Sequence, residues 1–322
     1  MRYRAVSHSP RCDFKVNKSL RSERNVTDRL SKIAVIPPGS PVVLGIGDDC
    51  AIYRPRGSAD DLLFTSDMFV ENVHFLRETH KPADIGRIAL ARSLSDIAAM
   101  GGEPRFCLVS LCVPQWANDK WVDAFFDSLN GLAASTGAVL AGGDLSYGAT
   151  AACDVTVCGA VHRGTALLRS GARAHDEIYV TGKLGGSALG LSTGKGKAWK
   201  RHLNPEPRLE AGSYIREALR ATAAIDISDG LSLDLERLCL ASGLAAEIVD
   251  PPRFPGASLE QALHGGEEYE LLFTVRPGTR VPADLKTLPL TRIGTIFRGR
   301  PGEMRHNGAP LQPLGFDHFA SK

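Results

Sequence analysis

Five aspartate clusters are the residues of this chain best placed to do chemistry. They read Gly47-Asp48-Asp49, Thr65-Ser66-Asp67, Leu94-Ser95-Asp96, Gly142-Gly143-Asp144 and Asp226-Ile227-Ser228-Asp229-Gly230. Each follows or ends a short apolar run, and Gly, Ser or Thr flanks it. Two carboxylates about 4 Å apart repel by roughly 4 kcal/mol at an effective dielectric near 20. A convergent set becomes reasonable when divalent cations sit between its members. Asp-rich oxygen sites with small neighbours suit Mg²⁺, which commonly brings phosphate with it.

Each cluster also has a plainer reading. Gly142-Gly143-Asp144 is either a phosphate-approaching backbone with a metal carboxylate or a tight turn. Asp226-x-Ser228-Asp229-Gly230 ends a strand and opens a helix, where open α/β sheets bind ligands, yet Ser228 or Asp229 could simply be an N-cap. Asp96 lies in a helical pattern and could face solvent near the helix end. Asp48-Asp49 could be a turn pair. A histidine such as His74 is more often packed than catalytic. Gly265-Gly266-Glu267-Glu268-Tyr269-Glu270 is a turn before a strand or a polar contact to substrate.

Two nucleotide motifs are only approximated. Gly45-Ile46-Gly47 has Cys50 where the third glycine of a dinucleotide fingerprint belongs, and a short strand follows instead of a helix. Gly190 to Gly196 is one residue short of a P-loop and has Gly after Lys195. A nucleotide would have to be held by metal, glycine backbone and scattered arginines.

The elements that must position these residues alternate. Strands are expected at Val42–Ile46, Leu62–Ser66, Phe106–Val113, Ala138–Leu140 and Cys153–Val161. Helices are expected at Ala83–Met100, stopped by Gly101-Gly102, and at Asn118–Ser135 with Asn118 as N-cap. The pattern restarts near Gly164. Strands at Glu177–Thr181, Ala223–Ile227, Glu270–Val275 and Thr291–Phe297 alternate with helices at Ser187–Leu191, Pro207–Thr222 and Leu231–Ser242. Lys195–Arg201 reads as basic and irregular. The fold class is α/β (α+β), with a weakly patterned extension over 1–40, one domain over 41–162 and a second over 163–322.

Composition narrows the function classes. The 322 residues suit two domains, and 43% hydrophobic with 23% charged residues is ordinary for a globular protein. The net charge of +2 gives no strong field for nucleic acid. Basic residues gather only in 1–24, read as a solvated start, a transit peptide being the alternative that lacks an apolar stripe. There is no run of about 18 apolar residues and no apolar segment near Met1, so neither a spanning helix nor a secretory signal is expected. Seven cysteines without a CxxC are read as buried free thiols in a reducing cytoplasm, with a zinc site as the remote alternative.

In order along the chain stand GIGDDCA, TSDMFVENVHF, ALARSLSDIAAMGGEP, LAGGDLS, LLRSGARAHDEIYVTGKLGGSALGL, IDISDGLSLDL, GGEEYELLFTV and GFDHFA. Together they resemble the thiamine-monophosphate kinase family, within a superfamily that includes aminoimidazole ribonucleotide synthetase, selenophosphate synthetase and a hydrogenase-maturation dehydratase. The resemblance runs from about residue 44 to 320. It implies that Asp49, Asp67, Asp96, Asp144 and Asp226 share several Mg²⁺ ions under the phosphates of ATP, the co-substrate. Thr65 and Ser66 would add oxygen ligands, and Asp229 a further metal site near the transfer. Asp49, Asp96 and Asp229 would form the catalytic set. Gly143, Asp144, Arg169 and Ser228 would contact ATP. His74, Glu267 and Phe316 would line the site for thiamine monophosphate.

The resemblance further implies a homodimer, with N-terminal domains pairing into a β-barrel and a three-layer α/β C-terminal domain over the site. Several positions depart from the family pattern: Arg92-Ser93, Glu268, Leu145 and Asn72. The expected chemistry is direct in-line transfer of the γ-phosphoryl to an acceptor already ionised at neutral pH. A sister synthetase acting on another acceptor, or a non-catalytic ATP- or thiamine-phosphate-binding regulator, are the alternatives.

Overall fold

The computed structural model describes residues 23–318. The basic residues before Glu23, and Cys12, lie outside them. The described residues open with α1 (Glu23–Ile33), whose first N–H donates to Asp317 Oδ1 at 3.2 Å. A helix in this stretch is a departure from the weak signal read there. Its apolar residues Leu30 and Ile33 stay exposed, so no core-facing stripe announced it.

The first half then builds β1 (Val42–Leu44), β2 (Ala51–Tyr53), β3 (Asp60–Val70), α2 (Pro82–Ala99), β4 (Glu103–Pro114), α3 (Asp119–Thr136), β5 (Val139–Gly148) and β6 (Ala152–His162). The strands form one sheet in the order β1-β2-β3-β6-β4-β5. Alternation in β3 sends Leu63 and Phe69 inward and leaves Met68 exposed. Asn118 caps α3, its Oδ1 accepting from Trp121 N–H at 3.0 Å. Within one chain this sheet stays open and closes no barrel.

Two clusters expected at strand ends lie inside strands. Asp67 sits within β3, and Gly142-Gly143-Asp144 within β5. The reason for the second is a bulge: Cys107 pairs with Leu140 but Leu108 pairs with Gly142, so Ala141 is extra. Gly143 has φ 149°, and a Cβ there would stand 1.9 Å from the Val109 carbonyl oxygen. Close approach of β4 therefore accounts for this glycine.

The second half contains β7 (Glu177–Thr181), α4 (Gly186–Thr193), α5 (Gly196–Leu203), α6 (Leu209–Glu217), β8 (Ala223–Ile227), α7 (Leu231–Ser242), β9 (Ala245–Ile248), α8 (Leu259–His264), β10 (Glu270–Val275), β11 (Asp284–Leu285), β12 (Leu288–Phe297), β13 (Met304–His306) and β14 (Ala309–Pro310). Its sheet runs β14-β13-β9-β12-β7-β10-β8, with β11 paired to β12. The stretch read as basic and irregular is α5. It buries Ala198 and His202, and Gly194 before it with Gly196 at its first position had hidden its short apolar face.

Both faces of this second sheet are covered. Ile225 and Ile227 of β8 pack with Leu231, Leu235 and Leu238 of α7. Ala224 and Phe273 pack the other way, with Ile215 of α6 and Ala98 of α2. Helix α2 is thus the partition between the halves, which explains why it buries residues all round. Gly212 on α6 allows the closest approach, since a Cβ there would meet the Ala98 carbonyl oxygen at 2.0 Å.

Candidate functional site

The site forms where α2 meets β8. Alternation along β8 turns Asp226 to the same side as Ala224, toward α2. There Ser95 donates to Asp226 Oδ2 at 2.7 Å, and both side chains are buried. Asp96, the next residue of α2, accepts from the Thr65 hydroxyl of β3. Asp49 enters from the loop before β2. One carboxylate oxygen from each of Asp49, Asp96 and Asp226 lies within 4.8 Å of the others. The reading of Asp96 as a solvent-facing residue is therefore set aside.

This convergence raises the proton affinity of the carboxyls. Asp226 is held well above the usual range by burial, then by Asp49 and Asp234. Asp96 is raised likewise by burial, then by Asp67, Asp226 and Asp49. Asp48 is pushed up to about 7 by burial and by Asp49. Asp48 accepts from the Arg169 backbone N–H at 3.2 Å, while the Arg169 side chain pairs with Asp49. Asp49 Oδ2 is buried with no protein partner. An all-oxygen set with an orphaned carboxylate oxygen fits a hard divalent cation such as Mg²⁺.

The other expected ligands are placed less centrally. Asp67 lies 3.8 Å from Arg92 Nη2, and burial raises its pKa. Asp229 pairs with Arg237 at 2.6 Å. Asp144 is exposed, and stands opposite Ser110 in the ladder. The Ser66 hydroxyl donates to Asp154 Oδ1 at 2.7 Å, on a residue row away from the Asp49–Asp96–Asp226 group. Ser228 offers its backbone carbonyl to Glu267 N–H at 2.6 Å. Neither Ser228 nor Asp229 caps α7. Instead Asp234 reaches back to accept from the N–H groups of Asp229 and Gly230, at 3.1 and 3.0 Å.

The residues expected on the acceptor side form a connected line. Glu267 Oε1 accepts from Arg92 at 3.0 Å, and the Arg92 guanidinium lies over Phe69, 5.5 Å from its centroid. Phe69 stacks with His74 at 5.5 Å, His74 meets His318 at 5.0 Å, and His318 meets Phe316 at 4.8 Å. Val70 N–H donates to His74 Nδ1 at 3.0 Å. Burial, then Arg92 and His318, push His74 down to about 3, so its imidazole is neutral. Phe316 N–H donates to the Asp229 carbonyl at 3.0 Å, tying the chain's end to the site.

Several participants escaped the sequence reading. Ser95 was visible only as a small neighbour of Asp96. The Asp234–Arg237 pair, at helical i,i+3 spacing, was the one legible signal. Glu268, a departure from the family pattern, accepts from Ser187 N–H at 2.8 Å, near the start of α4. Asn72, another departure from the family pattern, stands at φ 65°, a left-handed position that Asn tolerates.

Residues 47–161 match the model of the AIR synthase related protein N-terminal domain. Thiamine-monophosphate kinase of Salmonella typhimurium is 37% identical over 309 residues, covering 87% of this chain and 93% of that one. The Bacillus subtilis enzyme is 36% identical, covering 87% and 94%. Among solved structures, AaThiL complexed with AMPPCP and TMP superposes with TM-score 0.82 at 30% identity, covering 97% of this chain and 100% of that chain. Thiamine-monophosphate kinase from Stenotrophomonas maltophilia gives 0.73 at 34% identity, covering 90% and 98%. The hydrogenase maturation protein HypE, at 16% identity and TM-score 0.65, shares the fold alone. With its mixed α/β fold of two sheets, its clustered carboxylates and identity above a third along most of its length, the chain is a kinase that belongs to the thiamine-monophosphate kinase family.

Proposed function

We propose that this kinase phosphorylates thiamine monophosphate with ATP, passing the γ-phosphoryl directly and in line to the acceptor phosphate. The observation that carries this is the convergence of Asp49, Asp96 and Asp226 within 4.8 Å, beside Arg169. The name of one solved relative places AMPPCP and TMP in that protein's complex, which supports the same pair of ligands here.

Donor and acceptor are both anions, so their repulsion is the main barrier to be met. Asp49, Asp96 and Asp226 would hold Mg²⁺, with Thr65 and Asp67 beside them. Bound there, the metal supplies charge neutralisation and a template for the phosphates. Asp144 and Asp229 are kept as outlying members of that set. The Ser66 hydroxyl is left out because Asp154 and Thr156 engage it. Arg169, whose Nε is buried and unpartnered, is assigned to ATP with Gly143 and Ser228. His74, Glu267 and Phe316 are assigned to the acceptor. No side chain needs to act as a strong base, because the acceptor phosphate is already ionised at neutral pH.

Residues 41–162 are assigned to the nucleotide, metal and dimer half, 163–322 to the lid-like half, and 1–40 to an extension. The open sheet supports a homodimer: Met68, Leu108, Val139, Leu145 and Tyr147 are large, exposed and carried by its strands. A second copy facing this sheet would complete a barrel, and sedimentation as a clean monomer at micromolar concentration would refute it. The free cysteines, most of them buried, fit a reducing cytoplasm.

The deciding assay follows phosphate from ATP to thiamine monophosphate with Mg²⁺, resolving thiamine diphosphate by chromatography. Wild-type product with almost none from Asp49→Asn is expected. An inactive wild type that still binds ATP would move the assignment to another acceptor.

A further inference from the structure

Arg92 touches both halves of the molecule, and its surroundings are highly specified. Its side chain is 14% exposed on α2. Nη1 donates to Glu267 Oε1 and to the Tyr269 hydroxyl, each at 3.0 Å. Nη2 stands 3.8 Å from Asp67 Oδ1 on β3, and the guanidinium lies over Phe69. Nε is buried with no protein partner.

The two residues gripped by Nη1 are backbone oddities. Glu267 has φ 60° and Tyr269 has φ 52°, both left-handed and neither a glycine. Such residues persist only where the surroundings over-determine them. Glu268, between them, points elsewhere, to Ser187 and Arg201. Arg92 is thus the contact shared by the side chains of both strained residues.

We propose that Arg92 is a positioning residue for the acceptor side of the reaction, holding the segment from Gly265 to Tyr269 in its strained form so that the Glu267 side chain is presented to the acceptor. The proposal rests on the kinase reading above. A fixed positive charge between Asp67 and Glu267 also cancels the repulsion the two would exert on one another. Glu267 held there offers its carboxyl oxygens to the cationic thiazolium ring of a thiamine phosphate. Lysine could not replace the arginine, since a single ammonium lacks the planar fork that reaches Glu267 and Tyr269 while the guanidinium carbon stands over Phe69.

The test is steady-state kinetics on wild type, Arg92→Met, Arg92→Lys, Glu267→Gln and the Arg92→Met/Glu267→Gln double variant. In Arg92→Met the KM for thiamine monophosphate should rise about 10- to 100-fold, the scale of a lost charged hydrogen bond. The KM for ATP should move by less than about threefold, a split that general loosening would not produce. Glu267→Gln should act similarly, and the double variant should be no worse than the worse single one, because the residues act as a unit. Arg92→Lys should not restore the wild-type value. Tyr269→Phe keeps the fold while removing one Arg92 partner, and should raise the same KM by about 3- to 10-fold. An unchanged acceptor KM in both Arg92→Met and Tyr269→Phe, an equal rise for ATP, or strict additivity would overturn the proposal. Failure of the kinase reading is distinct, since wild type itself would then make no thiamine diphosphate.

Discussion

Ser95 and Asp226, 131 residues apart, are joined by a buried 2.7 Å hydrogen bond from the hydroxyl to Oδ2. The bond ties the partition helix to the edge strand of the second sheet, and it aims one carboxylate at the two contributed by the first half. Orientation of a ligand by such a partner is commonly worth 10- to 100-fold, about one to two decades, in affinity or activity.

Ser95→Ala is accordingly expected to lower kcat about 10- to 100-fold with the fold intact. Rate assays at several Mg²⁺ concentrations beside circular dichroism would check this. Wild-type turnover in the alanine variant would mean that Asp226 needs no such orientation.

Asp226→Asn should behave oppositely in stability and activity. Replacing the carboxyl removes the burial and repulsion that hold Asp226 well above the usual carboxylate range in metal-free protein. The melting temperature in chelator should rise while phosphoryl transfer is lost. Mg²⁺ should stabilise wild type and leave the variant nearly unmoved. Melts of both proteins with Mg²⁺ and with chelator decide it, and a drop in the chelated variant would contradict the repulsion argument.

His202 gives a pH prediction. Burial pushes its imidazole down to about 4, among His80, Ser187, Glu267 and Trp199. The native state keeps it neutral, whereas the unfolded chain takes up a proton below about pH 6.5. Its contribution is therefore fully present above that pH and is lost as pH falls from about 6.5 to about 4, by up to about 3 kcal/mol. Denaturant titrations across this window should show the acid-side loss flattened in His202→Gln. An identical pH slope in the two proteins would count against it.

Gly143→Ala should prevent normal folding of the first sheet. The added Cβ would meet the Val109 carbonyl oxygen at 1.9 Å, with φ at 149°. A loss of roughly 3 kcal/mol or more is expected, from overpacking joined to backbone strain. Gly137→Ala, where no atom lies within 4 Å, is the control for the left-handed backbone cost alone. A Gly143→Ala melt no lower than the control's would show that β5 yields easily.

Much of the fold was legible because it is local. Glu177–Thr181, Ala223–Ile227, Leu231–Ser242 and Glu270–Val275 form as the residue pattern says, and Asn118 caps its helix. Periodicity, caps and glycine stops act within a few residues of themselves. The failures have equally physical causes. Strands β3 and β5 run on past their aspartates because neighbouring strands supply ladder partners that no local pattern encodes. Helix α5 has too short an apolar face to stand out.

The chain's own residue order already contained the donor chemistry: the aspartates, the small residues beside them and the spacing shared with a kinase family. Selection among those aspartates depended on folding. Asp49, Asp96 and Asp226 meet because α2 lies between two sheets, whereas Asp144 is left exposed on β5. Arg92 reaches Glu267 across 175 positions. Pairings at such separations are set by how sheets stack on a shared helix, and no window of neighbouring residues carries that information.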